Sequence, residues 1–172
     1  MSTHEPQPDL CGLAPVTGPD PRVLILGSFP SVLSLAHREY YGNPKNRFWA
    51  VMEQILGVPS DLPYTERMSA LTQNGIALWD VVARCERPGS ADSRIKNPVP
   101  NDIAGFFREH PTLRLVALNG GTAGRLYHKL AEVPGLAAVT LPSTSPAYAA
   151  MGLEEKIRRW RQGLTGHGAC VP

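Results

Sequence analysis

RVLILGSFPSVLSLAHREYYGNPKNRFW, residues 22–49, is the stretch whose reading decides the fold. Val23–Leu26 is a short apolar run, partly β-branched, and reads as a buried strand. It breaks at Gly27-Ser28-Phe29-Pro30-Ser31, a turn-rich pentapeptide. A loop then leads to Tyr40-Tyr41-Gly42-Asn43-Pro44-Lys45-Asn46-Arg47-Phe48-Trp49, dense in side chains that stack on flat rings, donate to phosphates or position a water. Ligands of α/β sheets sit outside the carboxyl ends of the strands, and this loop begins there. The rest of the chain reads as its support.

Outward from that stretch, Asn46–Leu56 has apolar residues at 48, 49, 52, 55 and 56 and Gly57 as a stop, which predicts a helix. Thr65–Asn74 predicts a second, with Met68 and Leu71 inward. Gly75–Val82 reads as strand two. Arg84–Pro100 has no periodicity and is expected to be a long loop, a length that is usually functional or disordered. Asn101 is expected to cap a helix carrying Ile103, Phe106 and Phe107 and ended by Pro111. Arg114–Asn119 reads as strand three, Thr122–Glu132 as the helix after it, and Ala137–Leu141 as strand four. That strand opens into Pro142-Ser143-Thr144-Ser145-Pro146. The last helix, Leu153–Leu164, puts Leu153, Ile157, Trp160 and Leu164 on one face and Lys156, Arg158, Arg159 and Arg161 on the other. Strands alternating with helices predict right-handed βαβ units, hence an α/β fold: three layers, α/β/α, around a four-stranded parallel sheet. Residues 1–21 are proline-rich and polar and are expected to be a loosely held arm, with one domain over 22–164 and a tail over 165–172.

A chain of 172 residues suffices for one well-cored α/β domain. Its net charge of +2 permits nucleic acid as a partner without demanding it. No run approaches a membrane span, and Met1–Asp20 lacks a signal-peptide core. Cys11, Cys85 and Cys170 form neither a disulfide framework nor a CxxC site, which points to a reducing cytoplasm. His4, His37, His110, His128 and His167 are scattered, so no metal and no cofactor is expected. Ser28 and Ser31 lack the GxSxG elbow of a nucleophilic serine. Gly120-Gly121-Thr122-Ala123-Gly124 could cradle a phosphate on a helix N-terminus. It lacks the GxGxxG spacing, and reads more readily as a tight strand-to-helix turn capped by Thr122.

Taken in order, GSFPS (27–31), YYGNPKNRFW (40–49), GIALWD (75–80), DSRIKNPVPND (92–102) and LPSTSPAY (141–148) resemble the uracil-DNA glycosylase superfamily. They are most similar to its hypoxanthine-DNA glycosylase branch, over about residues 22–162. The resemblance implies a uracil-DNA glycosylase-like fold and a monofunctional, metal-independent enzyme of base excision repair. It would cleave the N-glycosidic bond of deaminated bases in double- or single-stranded DNA, with hypoxanthine favoured and uracil and xanthine open. A monomer in the cytoplasm, associated with the nucleoid, is expected. GSFPS takes the place of the superfamily's first motif, with Phe29 where most members carry Asp or Asn. LPSTSP takes that of the second motif, the minor-groove loop, with Leu141 in place of a histidine.

The same resemblance moves the catalytic polar residue to Asn46. Tyr41 aligns with the aromatic that stacks on the flipped base, with Tyr40 its nearest rival, and Phe29 and Ser28 would line the base pocket. Asp80 stands where the uracil-specific enzymes carry an asparagine. A carboxylate there would accept from the ring N–H of a deaminated base and repel adenine; it is also the second catalytic candidate. Its other reading is a cap, or a partner for Arg84. Pro142, Ser143, Thr144 and Ser145 would contact phosphates, Tyr148 and Met151 are candidate wedges, and Lys45, Arg47, Arg94 and Lys96 could neutralise phosphates. Two other readings stay open: a damage-binding protein on the same fold that does not cleave, since Phe29 cannot orient water, and a flavodoxin-like module holding a nucleotide at Gly120–Gly124.

Overall fold

The computed structural model describes residues 8–166. In chain order the elements are β1 (Asp9–Cys11), β2 (Val23–Gly27), α1 (Val32–His37), α2 (Phe48–Leu56), α3 (Tyr64–Gln73), β3 (Ile76–Asp80) and β4 (Val82–Glu86). A 3-10 turn (Asp92–Arg94) follows, then β5 (Lys96–Pro100), α4 (Ile103–Glu109), β6 (Leu115–Asn119), α5 (Gly121–Leu130), β7 (Ala137–Leu141) and α6 (Leu153–Thr165).

β3, β2, β6 and β7 form a four-stranded parallel sheet in that spatial order. β2 is buried at every position, as a central strand covered on both faces must be. Its alternation splits the core in two. Val23 and Ile25 pack with Phe48, Met52, Leu71 and Trp160 of α2, α3 and α6. Leu24 and Leu26 face the other way, against Phe106 of α4 and Tyr127 of α5. The expected three-layer architecture is therefore present, and α1 is an addition to it. Because the chain leaves β2 toward β3 on one side and later returns to β6 on the other, the carboxyl ends of β2 and β6 flank the topological switch point.

Three expectations are corrected. The proline-rich start is not a free arm over its described part: Asp9–Cys11 pairs antiparallel with β4, and Val16 bridges to Leu78. Residues 1–7 of that arm, and residues 167–172 of the tail, lie outside the described residues. Arg84–Pro100 is not one loop, because β4 and β5 pair there and complete a second, antiparallel sheet of order β1-β4-β5. Register shifts between Val82 and Arg84 and between Arg84 and Glu86 spoil the alternation a strand would show. Pro98 and Pro100 are tolerated because β5 is an edge. Finally, Asp102 rather than Asn101 caps α4, its carboxylate accepting from Gly105 N at 2.8 Å. The small sheet covers a satellite core of Phe29, Val82 and Cys85, and so backs the loop that leaves β2.

Candidate active site

The carboxyl ends of β2, β3, β6 and β7 surround one cavity of about 510 Å³, within the range of small-molecule sites. It gathers residues that are far apart in the chain: Ser28 and Phe29, Tyr40 and Tyr41, Asn46, Asp80, Asn119, and Ser143–Ser145.

Gly27 decides what fits at its floor. A Cβ there would lie 2.6 Å from Asp80 Oδ1, so only a bare Cα leaves room for the carboxyl. Asp80 is 5% exposed and its Oδ2 has no hydrogen-bond partner among the described residues. Burial, followed by the nearby charge of Asp92, pushes its pKa up to about 7, against the opposing pull of Arg87. It neither caps a segment nor pairs with Arg84, whose guanidinium instead faces Asp9 at 3.8 Å on the outer side of β4. Asn101, freed from capping, donates from Nδ2 to the Asp80 carbonyl at 2.8 Å and holds this strand end.

Tyr41 enters the cavity with φ at 55°, a left-handed backbone that aromatic residues avoid. Its ring stacks on Phe48 at 3.9 Å and 16°, so one face is spent inside the protein. Its buried hydroxyl has no partner within hydrogen-bond distance among the described residues. Burial and then the Asp80 charge push its pKa upward, against a smaller opposing pull from the Asn119 side chain, whose amide is bonded to Thr144. Tyr40 is a strut. Its ring is in the core and its hydroxyl donates to Ala14 O at 2.7 Å. The aromatic residues of Asn46-Arg47-Phe48-Trp49 are core: Phe48 backs Tyr41, and Trp49 carries the Arg67 guanidinium 4.4 Å from its ring.

Asn46 braces the start of α2. Its Oδ1 accepts from Phe48 N at 2.9 Å, so it is the carbonyl, not the amide, that the protein holds. The second lone pair of that oxygen and both amide protons remain for a ligand. Phe29 is buried at the pocket wall beneath the Arg87 guanidinium, 5.0 Å from the ring. Ser28 donates to Asp92 Oδ1 at 2.7 Å.

The second-motif loop is laced to the rest of the site. Asn119 and Thr144 exchange two hydrogen bonds, Nδ2 to Oγ1 at 2.9 Å and Thr144 N to Oδ1 at 3.0 Å. Thr144 O accepts from Arg47 N at 2.9 Å. Thr144 is fully buried and its hydroxyl is engaged, so it is a clamp and has no surface to offer phosphate. Ser143 and Ser145 remain on the cavity wall. Gly120, at φ 102°, lets Ser143 come close, since a Cβ there would lie 2.9 Å from that of Ser143. Thr122 makes no cap; its hydroxyl accepts from Arg125 Nη2 at 3.0 Å. Gly124 is a packing glycine, where a Cβ would lie 2.7 Å from Thr140 Oγ1. The glycine group is thus a close-packed turn at the rim of this cavity and not a separate nucleotide cradle.

Lys156 departs from the expected solvated face of α6. It is buried, donates from Nζ to Tyr148 O at 2.7 Å and lies 5.2 Å from that ring. Burial, and then the like charge of Arg47, hold its pKa below the ordinary value. Tyr148 itself is 40% exposed at the loop tip. Lys45, Arg47, Arg94 and Lys96 are exposed, Lys45 and Arg94 beside the rim residues Asn46 and Ser93.

Four functional candidates were missed in the sequence: Asn119, Asp92, Arg87 and Lys156. Asn119 ends a strand and could have been found as the polar residue at a carboxyl end. Arg87 donates to Pro30 O at 2.6 Å and Gly89 O at 2.8 Å, pinning the loop after β2, and nothing in its sequence context signals that. Among the described residues, no group of three or more His, Cys, Asp or Glu could hold a metal ion, and no helix is long and apolar enough to cross a membrane.

A mainly apolar cavity of about 510 Å³ at the switch point of a 2-1-3-4 parallel sheet, closed by a stiff Pro-Ser-Thr-Ser-Pro loop, defines an α/β protein with a small-molecule-sized pocket at the carboxyl ends of its strands. The chain belongs to the uracil DNA glycosylase superfamily, whose model matches residues 14–163. It is similar to curated proteins named hypoxanthine DNA glycosylase from Methanosarcina acetivorans, at 39% identity, and Methanosarcina barkeri, at 35%. Each match spans 137 residues, 79% of this chain and 86% of the relative. A solution NMR structure from Methanosarcina acetivorans, provisionally described as a uracil DNA glycosylase, matches with a TM-score of 0.77 at 35% identity, covering 90% of this chain and 98% of that one.

Proposed function

We propose that this protein is a monofunctional DNA glycosylase that hydrolyses the N-glycosidic bond of deaminated bases, hypoxanthine foremost. The carrying observation is the cavity in which Asn46, Asp80 and Tyr41 converge at the carboxyl ends of the strands. The names of the Methanosarcina relatives support the same reading. A base in a duplex cannot reach such a pocket while stacked, so the nucleotide must swing out, at a cost of a few kcal/mol. The exposed Tyr148, on a loop tip held by Lys156, is placed to occupy the gap left behind.

Within the pocket, the bond from C1′ to the base nitrogen breaks with its electron pair leaving on the base, and the sugar becomes an oxocarbenium-like cation. Water then adds to C1′ and gives up a proton, while the departed base gains one. Asn46 is neutral and cannot be a strong base. Its work is to hold the water beneath C1′, a positioning effect that suits an already cationic partner. The Phe48 N–H fixes the orientation of its side chain for that task. No lysine lines the cavity among the described residues, so no amine is placed to trap the sugar as an imine. That favours hydrolysis alone over a bifunctional, strand-cutting enzyme.

The test uses end-labelled duplexes carrying hypoxanthine, uracil or xanthine, incubated with the pure protein and then treated with alkali. Strand scission that appears only after alkali is the expected result. Scission without alkali overturns the monofunctional assignment. A gel shift on damaged duplex with no scission overturns catalysis in favour of a damage binder.

A further inference from the structure

Two buried polar atoms on the cavity, Tyr41 Oη and Asp80 Oδ2, have no partner within hydrogen-bond distance among the described residues. The Asn119 amide near Tyr41 Oη can only donate to that oxygen, which leaves the phenol proton free. Buried polar groups in folded proteins are nearly always paired, so two orphans in one cavity call for a ligand that pairs them. They also converge. A Cβ on Gly27 would lie 2.6 Å from Asp80 Oδ1 and 3.6 Å from Tyr41 Oη, so both side chains press on the same bare Cα. Neither is free to turn away. Tyr41 is held by its left-handed backbone and by Phe48 stacked behind it. Asp80 sits on the last residue of β3, whose carbonyl is tied by Asn101.

We infer that Tyr41 Oη and the Asp80 carboxyl form a donor–acceptor edge that reads the lactam of a flipped base, a ring N–H beside a carbonyl. The inference rests on the glycosylase reading above. The phenol O–H donates to the carbonyl oxygen, and a carboxyl oxygen accepts from the ring N–H. Hypoxanthine, xanthine and uracil all present this pair. Adenine and cytosine present the reverse, a bare ring nitrogen beside an amine. Once Asp80 is ionised, above about pH 7, they set lone pair against carboxylate, and they leave the Tyr41 proton without a carbonyl to accept it. Guanine and thymine share the lactam, so the edge does not reject them; it separates a deaminated base from its adenine or cytosine parent. The same hydroxyl faces the oxygen on which negative charge gathers as the base departs, so its bond strengthens along the reaction. A tyrosine in this place therefore serves recognition and leaving-group stabilisation through its hydroxyl, beyond the stacking role expected of its ring.

Single-turnover cleavage of three duplexes tests each contact separately. They carry hypoxanthine, purine (a bare ring nitrogen, with neither the carbonyl oxygen nor the ring N–H beside it) and 1-methylhypoxanthine (carbonyl kept, no ring N–H). Wild-type protein should cleave hypoxanthine at least tenfold faster than the other two. Tyr41→Phe should slow hypoxanthine at least tenfold, slow 1-methylhypoxanthine, which keeps the carbonyl, and leave purine unchanged, because purine has no carbonyl oxygen for the hydroxyl to bond. Asp80→Ala should slow hypoxanthine by a similar factor and not slow 1-methylhypoxanthine. The 1-methylhypoxanthine cycle isolates the Asp80 contact, and the purine arm reports the Tyr41 contact because Tyr41→Phe removes only the hydroxyl. Variants that slow all three duplexes by a common factor overturn the edge, with melting curves confirming that they are folded. Should a variant fail to fold, wild-type rates decide: equal cleavage of all three overturns the edge, and the tenfold ranking supports it. A wild-type protein that cleaves no deaminated base refutes the proposed function and the edge with it; one that cleaves them without these patterns refutes the edge alone.

Discussion

Replacing Asp80 by asparagine should make the protein more stable above pH 7 while making it a poorer enzyme. The carboxyl is buried, one of its oxygens is unpartnered, and its pKa is pushed up to about 7 from an ordinary 3.8. The groups that face it are Asp92 from the 3-10 turn and Arg87 beyond β4, with Tyr40 and Tyr41 of the loop after α1 feeling its charge in turn. Between pH 4 and 7 the folded protein holds a proton at Asp80 that the unfolded chain has already released. Stability from this group is therefore full below pH 4 and is lost as pH rises through 7, after which the loss is constant. At 1.36 kcal/mol per unit, the span from 3.8 to about 7 amounts to about 4 kcal/mol. Asparagine has no charge to desolvate and nearly the same shape. The difference in stability, Asp80→Asn minus wild type, should start near zero at pH 4, rise through pH 7 and level off at pH 8. For a chain of 172 residues the plateau corresponds to a gain of roughly 8–16 °C in Tm. Thermal melts of both proteins from pH 4 to 9 measure the curve, and the other carboxylates, common to both, cancel in the subtraction. Single-turnover rates on a hypoxanthine duplex at the same pH values should fall for the variant, as expected where function holds a strained group in place. A difference that is flat with pH, or a variant less stable than wild type at pH 8, would refute the reasoning.

Asn46→Ala should lower stability by about 1 kcal/mol through the lost bond to Phe48 N. Its chemical step should slow at least about a hundredfold, some 2.7 kcal/mol of barrier; a variant that melts lower yet cleaves near the wild-type rate moves the water-holding role to Asp80. Lys156→Met removes the donor to Tyr148 O, a charged hydrogen bond worth roughly 1.5–3 kcal/mol. Fluorescence of a 2-aminopurine beside the target base should then report less flipping, and an unchanged signal would remove Lys156 from the positioning of the loop. Binding should weaken steeply with salt, and Lys45→Ala or Arg94→Ala should each lower the slope of log K against log salt by about 0.9; slopes equal to wild type exclude those side chains from phosphate contact. Activity should survive EDTA, because no ligand cluster was found among the described residues, and loss on chelation restored by a divalent cation would contradict this.

By itself the sequence determined the scaffold and where its business end lies. Val23–Leu26 and Leu115–Leu118 announce their strands because burial on both faces demands unbroken apolar runs, and helical spacing marks the elements between them; β7, an edge strand, is buried only at Leu141. Phe48 and Trp49, read in the string NRFW, are where a helix meets the core, and a core residue carries its signal in its own side chain. The small sheet was illegible for the converse reason. Three-residue β1, the bulges of β4 and the prolines of β5 leave no period to detect, and only pairing between distant segments makes them strands.

The chemistry of the site was decided by the tertiary structure alone. Asp80 is an ordinary carboxylate in the sequence; it becomes one pushed up to about 7 because Gly27 of the neighbouring strand lacks a Cβ and Asp92 is folded in from a distant turn. Lys156 belongs by spacing to a basic helix face, yet it is buried because the loop tip at Tyr148 closes over it. Thr144 looks like a phosphate contact until Asn119 takes its hydroxyl and its N–H. Hydropathy is a property of a residue and its near neighbours in the chain, so it can be read along one dimension. Desolvation, an unsatisfied hydrogen bond and a shifted pKa belong to pairs of groups brought together across the fold, and no pattern along the chain records which pairs will meet.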